Sequence, residues 1–254
     1  MIYRVIPPRK ELRNTVSHFW EATWDATKHP PNATHYIIAN SLSEITFAFD
    51  GNRKDSELLF STIQGQTTQP NRIPVKGFYH LLGVSLYTYA LPRLFKISAS
   101  DLNCEFLNLD TFLGNEATRL TDRIASANST DERIELLSSH FMSLMDKRKV
   151  EDLLINDAIG QVKRKRGILK ISELSKEYNL SQKQFKRRFQ SFSGFNPKTY
   201  ARIIRFESLI KNIDSRSNLT EAAYANGYYD QAHLNREFKA FTGFSPNEFW
   251  KLSD

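Results

Sequence analysis

One stretch of this chain repeats itself, and that constrains the fold more than any other feature. Ser181 to Pro197 and Asp230 to Pro246 align at a constant offset of 49 residues. The offset lays Gln182 over Gln231, Arg187 over Arg236, Phe189 over Phe238 and Phe192 over Phe241. It also lays Gly194-Phe195-x-Pro197 over Gly243-Phe244-x-Pro246. Self-similarity at a fixed spacing marks one supersecondary unit used again, and two copies make a tandem module, not a solenoid.

Each copy reads as a short helix with defined ends. Ser181 with Gln184 forms a capping-box start, and Asp230 caps the second copy. Phe185, Phe189 and Phe192 share one helical face, as do Leu234, Phe238 and Phe241. Gly194 and Gly243 stand where a left-handed residue stops a helix. Asn196-Pro197 and Ser245-Pro246 then open another helix at once.

Opposite the phenylalanines of the first copy lie Lys183, Lys186, Arg187 and Gln190, and no acid occurs from Ser181 through Gln190. A short amphipathic segment, Ile171 to Tyr178, precedes it across the turn Asn179-Leu180, and Asn218 to Tyr229 does the same for the second copy. Two helices joined by so short a turn, the second basic on its free face, are the pattern of a helix-turn-helix. Its second helix lies in a DNA major groove. Gln182, Lys183, Lys186 and Arg187 are then expected at base edges, where Lys and Arg suit guanine and Gln suits adenine. Arg188, on the flank, is expected at a phosphate. In the second unit the candidates are Gln231, His233, Asn235 and Arg236, with Asp230 and Glu237 offsetting Arg236 and Lys239.

The pattern resembles the AraC/XylS bacterial transcription regulators. The residues that carry the resemblance are Ala223, Gly227-Tyr228, Asp230, Arg236-Glu237-Phe238-Lys239, Gly243-Phe244-Ser245-Pro246 and Phe249, and the match spans Leu153 to Trp250. Leu234 stands where that family has Phe, a volume-tolerant core exchange. Trp250 stands where it often has Arg, so a basic group of the family pattern is absent there. The resemblance implies duplex DNA and RNA polymerase as partners, a small-molecule effector acting on an N-terminal sensor domain, and a homodimer.

Composition agrees with such a division. The chain has 254 residues, 40% hydrophobic and 25% charged, enough for two domains. Of the net charge of +7, nearly all falls from Val150 onward, where Lys and Arg outnumber Asp and Glu by 18 to 12. A basic domain joined to a neutral one is the footprint of polyanion binding. The charged stretch Asp146 to Glu151 marks the boundary, giving domains 1–148 and 149–254. The single cysteine, Cys104, rules out an internal disulfide framework and a four-cysteine zinc module, and is expected in the core. No signal peptide and no apolar run of about 20 residues is present, so a soluble cytoplasmic protein is expected.

The first half reads as mostly β. Tyr36 to Ala39, Glu44 to Phe49, Leu58 to Phe60 and Phe78 to Leu86 are strand-like, and Asp50-Gly51 is a hairpin signal. Leu12, Val16, Phe19 and Trp20 recur at helical spacing, which predicts a covering helix. Pro7-Pro8, Leu12, Phe19-Trp20, Gly83-Val84-x-Leu86 and Leu91-Pro92 loosely resemble the cupin-like sensor domains of the same family. Helices are expected over 115–127 and 131–147. In the second, Ile134, Leu137, Phe141, Leu144 and Met145 form a stripe that suits either packing on the barrel or, as the family implies, a dimer interface. The DNA-binding part opens with a helix through Leu153, Leu154, Ala158 and Val162 that ends in four cations, Lys163 to Arg166. These suit the helix dipole or a phosphate. From Pro197 a long helix through Tyr200, Ile203, Ile204 and Leu209 links the two units.

The overall class is α+β: a cupin-like β-barrel or sandwich with flanking helices, then an all-α domain with two helix-turn-helix motifs. Catalysis is not expected. There is no phosphate loop and no nucleophile elbow. His35, Glu44 and His80 are the nearest approach to a cupin metal set, and their spacing is wrong for one, so no metal and no cofactor is called for. A small-molecule pocket in the barrel would draw on Tyr36, Phe47, Phe78, Tyr87 and Tyr89. The rival reading is a cupin-like metabolite-binding or catalytic protein whose helical C-terminal half recruits a partner.

Overall fold

The computed structural model describes residues 2–26, 34–51, 57–146, 151–213 and 217–252. It divides into two compact units: Met1–His35, Leu42–Gln66 and Ile73–Glu151 form one, and Tyr36–Ser41, Thr67–Arg72 and Asp152–Asp254 the other. The boundary expected between 148 and 149 lies outside the described residues.

In chain order the strands are β1 (Ile2–Ile6), β2 (Val16–Asp25), β3 (Thr34–Ile37), β4 (Leu42–Asp50), β5 (Leu58–Gln64), β6 (Asn71–Pro74), β7 (Phe78–Tyr87) and β8 (Phe106–Asn108). Six of them pair antiparallel in the order β1-β2-β7-β4-β5-β8, and β3 with β6 makes a separate ribbon. The Asp50-Gly51 turn opens the β4–β5 hairpin, and residues 52–56 lie outside the described residues.

Four helices follow in this unit: α1 (Leu91–Phe95), α2 (Leu109–Leu113), α3 (Asn115–Ser126) and α4 (Thr130–Asp146). The core lies between them and one face of the sheet. Ile45, Phe47 and Phe49 of β4 and Leu82, Val84 and Leu86 of β7 meet Leu94, Leu120, Ile124, Leu137 and Phe141 there. Of the stripe on α4, Leu137, Phe141 and Leu144 are buried in this core and Ile134 and Met145 pack against it. The stripe is thus used within its own unit.

The helix expected over Leu12 to Trp20 is instead a 3-10 turn, Lys10–Leu12, followed by β2. The cause is a β-bulge. Pairing of β2 with β7 shifts register between Val16 and His18, so Val16 and Phe19 reach the same face three residues apart. That spacing imitates a helix. Trp20 points to the opposite face and lies over Gly83, where an added Cβ would sit 2.0 Å from the indole. Its Nε1 donates to Glu44 Oε2 at 3.0 Å, and Ser85 Oγ donates to the same oxygen at 3.1 Å. Burial raises the Glu44 pKa, against the pull of these hydrogen bonds.

Of the five aromatics expected to line an effector pocket, four belong to the first unit and are spread through it. Phe47 is fully buried on the helix-covered face. Phe78 and Tyr87 occupy opposite ends of the ten-residue β7, about 30 Å apart at the usual rise. Tyr87 stacks on Tyr89 at 5.2 Å, and Tyr36 belongs to the other unit. The three metal candidates do not meet: Glu44 is paired opposite Ser85 on β7, five residues from His80, and His35 lies against Trp24. Cys104, expected in the core, is exposed in a left-handed turn (φ 63°), with Leu102 taking the buried position nearby.

The second unit holds α5 (Leu153–Arg164), α6 (Ile171–Glu177), α7 (Gln182–Ser193), α8 (Pro197–Asn212), α9 (Leu219–Ala225), α10 (Gln231–Thr242) and α11 (Pro246–Trp250). On α5 the buried stripe is Ile155, Ala158, Ile159 and Val162, so Leu153 and Leu154 fall out of phase with it and are exposed. No described helix is long and apolar enough to cross a membrane.

Two segments from the first third of the sequence are part of this unit. Ala39 N donates to Phe241 O at 2.9 Å, Tyr36 packs edge-on to Phe244, and Arg72 lies over that same ring. Ser41 donates to Glu207 of α8 through its backbone N at 2.6 Å and its Oγ at 3.1 Å. Burial pulls Glu207 toward its neutral form, and it also pulls the nearby Lys163 down to about 8. Lys163 is therefore not one of the solvated cations its tetrad suggested.

Because the folded pKa of Glu207 lies above the ordinary 4.5, the native state binds that proton more tightly than the unfolded chain. Its contribution to stability is full below about 4.5 and is lost as pH rises through the raised value. Glu207→Gln should remove this loss. Urea midpoints measured from pH 4 to 8 should fall more steeply in the parent than in the variant, and parallel curves would contradict the assignment.

Candidate nucleic-acid interface

The repeating unit is larger than the sequence alone shows. Each copy has three helices, α5-α6-α7 and α8-α9-α10, of which the last two form the helix-turn-helix. The α6–α7 turn uses Asn179 in the left-handed region (φ 53°), a conformation asparagine tolerates. The α9–α10 turn is one residue longer and uses Gly227 (φ 72°), against which Ile168 packs so closely that a Cβ would lie 3.1 Å from its carbons.

The helix ends are those read from the sequence. Ser181 and Gln184 make a reciprocal capping box on α7, Asp230 accepts from His233 N at 2.6 Å on α10, and Gly194 and Gly243 close the two helices in left-handed geometry. Phe185 and Phe189 bury one face of α7, and Leu234, Phe238 and Phe241 bury one face of α10. Phe192 is half-buried.

What is buried fixes what is presented. Gln182, Lys183, Lys186 and Arg187 are all exposed on α7. On α10, Gln231 and Arg236 are exposed, while His233 and Asn235 are half-buried. Gln231 Oε1 accepts from Thr220 Oγ1 at 2.9 Å, which ties that side chain to α9. His233 stands edge-on to Tyr228, and its Nδ1 accepts from Tyr229 N at 3.4 Å. The α7 face is therefore the more open and the more cationic of the two.

Arg188 does not stand free for a phosphate. Its Nε and a terminal nitrogen donate to the two carboxylate oxygens of Asp152 at 2.8 and 2.7 Å, and Asp152 also caps α5. The matching position on α10 is Glu237, which is buried and accepts from Arg202 Nε at 2.7 Å, with Arg205 Nε at 3.9 Å. In both copies the seventh residue of the recognition helix is thus ion-paired to the copy's own first helix, with the charges reversed. Glu237 consequently does not offset Arg236 on the outer face. Periodicity could not find these pairs, because a charge seven residues into a helix reads as solvated until its partner is placed beside it.

Sequence reasoning also missed Tyr224 and Tyr229, the most exposed aromatics of this unit at 63% and 84%. The Tyr228-Tyr229 doublet sends one ring in and the other out.

Residues 174–251 match the family model of a helix-turn-helix domain, and residues 4–108 match that of a domain of unknown function, DUF6597. No curated protein matches the chain. Among solved structures, ToxT from Vibrio cholerae in a 1.65 Å crystal form is similar at 14% identity and a TM-score of 0.51, over 92% of this chain and 98% of that one. ToxT from Vibrio cholerae O395 bound to (E)-4-(8-methylnaphthalen-1-yl)but-3-enoic acid gives 12%, a TM-score of 0.51 and 100% of both chains. Wild-type ToxT from Vibrio cholerae strain SCE256 with an unsaturated fatty acid bound gives 12%, 0.50, and 91% and 94%. At these identities the likeness is one of fold.

The Arg188–Asp152 pair leads to a stability prediction. Arg188→Ala should cost about 1 kcal/mol, the discounted value for a charged pair one-third open to solvent, and should leave the salt dependence of DNA binding unchanged. A double-mutant cycle with Asp152→Ala in urea measures the coupling. Additive losses, or a shallower salt slope, would put Arg188 on DNA instead.

Proposed function

We propose that the chain, whose residues 174–251 match the model of a helix-turn-helix domain, is an AraC-type regulator that controls transcription by seating α7 and α10 in successive major-groove segments about one helical turn apart. The observation that carries this reading is the pair of matched polar faces. Both helices stand on the same buried aromatic-aliphatic spine, and both turn Gln and Arg outward at the same two positions, Gln182 and Gln231, Arg187 and Arg236.

Lys183, Lys186 and Arg187 suit guanine O6 and N7, and Gln182 suits adenine. Arg236 and Gln231 take the equivalent roles in the second unit, with His233 and Asn235 beside them. The first unit supplies more of the salt-dependent affinity because its face carries three cations. The activity is binding and not catalysis. The family resemblance adds RNA polymerase and a second copy of the chain as partners.

Control by a small molecule would act on the N-terminal unit. The ToxT structures with an unsaturated fatty acid and a naphthalenyl butenoic acid bound suggest an amphipathic acid as the effector class.

Gel-shift titration of the full chain on mixed-sequence duplex against salt tests the main reading, since the partner-recruiting rival expects no duplex binding. Arg187→Ala should weaken binding to the selected site by about 1–3 kcal/mol and relax preference at one base pair. Equal weakening on every sequence would make it a backbone contact. Thermal unfolding with increasing unsaturated fatty acid should show a melting temperature that climbs with concentration. An unmoved melting temperature would discard that effector class.

A further inference from the structure

Between the two helix-turn-helix copies lies an open groove of about 1110 Å³. Its floor is one face of α8, formed by Lys198, Ala201, Arg202 and Arg205 at i, i+3, i+4 and i+7. One wall is α6 with the turn that precedes it, and the other is α10. Six cations and three carboxylates line it, and they are not equally committed. Arg202 and Arg205 are drawn to Glu237, and Lys170 pairs with Glu173 at 3.3 Å. Lys165, Lys198 and Arg236 are exposed, and among the described residues no ion pair engages them.

We propose that this groove is a third contact with the duplex, in which Lys165 and Lys198 take the sugar-phosphate backbone that runs between the two major-groove segments, while Arg236 at the wall keeps its place at the base edges. The proposal rests on the reading that α7 and α10 enter successive major grooves. If they do, the stretch of duplex between them must pass the surface that joins them, and it presents there only phosphate and minor groove. The first helix of a helix-turn-helix crosses the backbone, and α6 is that helix and forms a wall of the groove. Charge complementarity selects the same occupant, because Lys165 and Lys198, which no ion pair engages among the described residues, face a site where phosphates arrive without base edges. Such contacts set register and carry no sequence preference.

The test uses the full chain and two probes: duplexes that the parent protein enriches from a randomised pool, and a mixed-sequence duplex of about 30 base pairs, roughly three turns at 3.4 Å per pair. Lys165→Ala with Lys198→Ala should lower affinity equally on both, leave the base preference unchanged, and reduce the slope of log affinity against log salt by about 2, near 0.9 per phosphate contact. Lys10→Ala, an exposed cation of the other unit, controls for net charge and should leave the slope as it was. With the parent protein, methylphosphonate placed between the two half-sites should weaken binding, and the double variant should not feel it. That second arm holds even if the double variant folds poorly. An unchanged slope, or methylphosphonate without effect on the parent, overturns the proposal. So does hydrogen-exchange protection of 165–170 and 198–205 by a polyglutamate peptide and not by duplex. Absence of duplex binding by the parent protein would instead sink the DNA-binding reading itself.

Discussion

Burial of one face of each recognition helix is the constraint on which the rest of this structure depends. Phe185 and Phe189 are held against Tyr178 and Tyr200, and Phe238 is enclosed by Phe206, Phe249 and Trp250 with ring centroids 5.4 to 5.6 Å apart. Aromatic groups of this size dominate local packing energy and tolerate little rotation of the helix that bears them. Once they are seated, the phase of α7 and α10 is set. Lys183, Lys186 and Arg187 then have nowhere to point but outward. The exposed polar face is what the core leaves over.

The two copies share this spine and differ in how it is braced. Arg188 is held by Asp152 and Glu237 by Arg202, so the same helix position carries opposite charges. Each recognition helix can therefore pair only with its own first helix, since exchange would set like charges together, a cost that fixes register better than it adds stability. The surroundings differ too. Glu237 is buried beside Tyr228, while Arg188 remains partly open to water.

Much of the second half was legible in the sequence because its signals are local. Capping boxes, a left-handed glycine and proline at the first helical position act within a few residues, and they put α7 at Gln182–Ser193 and α10 at Gln231–Thr242. The first half was less legible for an equally physical reason. A strand acquires its meaning from a partner far away in sequence, and the bulge that sets Val16 and Phe19 three apart exists only because β7 lies beside β2. Read alone, that spacing is helical. The aromatics assigned to an effector pocket were no easier to place, because size and apolarity do not say which face of a strand a residue takes or to which unit it belongs.

By itself, the sequence determined the duplicated module, the ends of its helices, the face each presents and the uneven distribution of charge, since all of these follow from periods and caps internal to one segment. Tertiary structure alone decided which charges are free. Arg188, Glu237 and Lys163 read as surface groups and are taken up by Asp152, Arg202 and the surroundings of Glu207, while among the described residues no ion pair engages Lys165 or Lys198. It also decided that Tyr36–Ser41 and Thr67–Arg72 join the helical unit, in contacts closed across as many as 166 residues of chain. Propensity describes what a segment can become, but the pairing of charges and the docking of distant segments depend on what else occupies the same space.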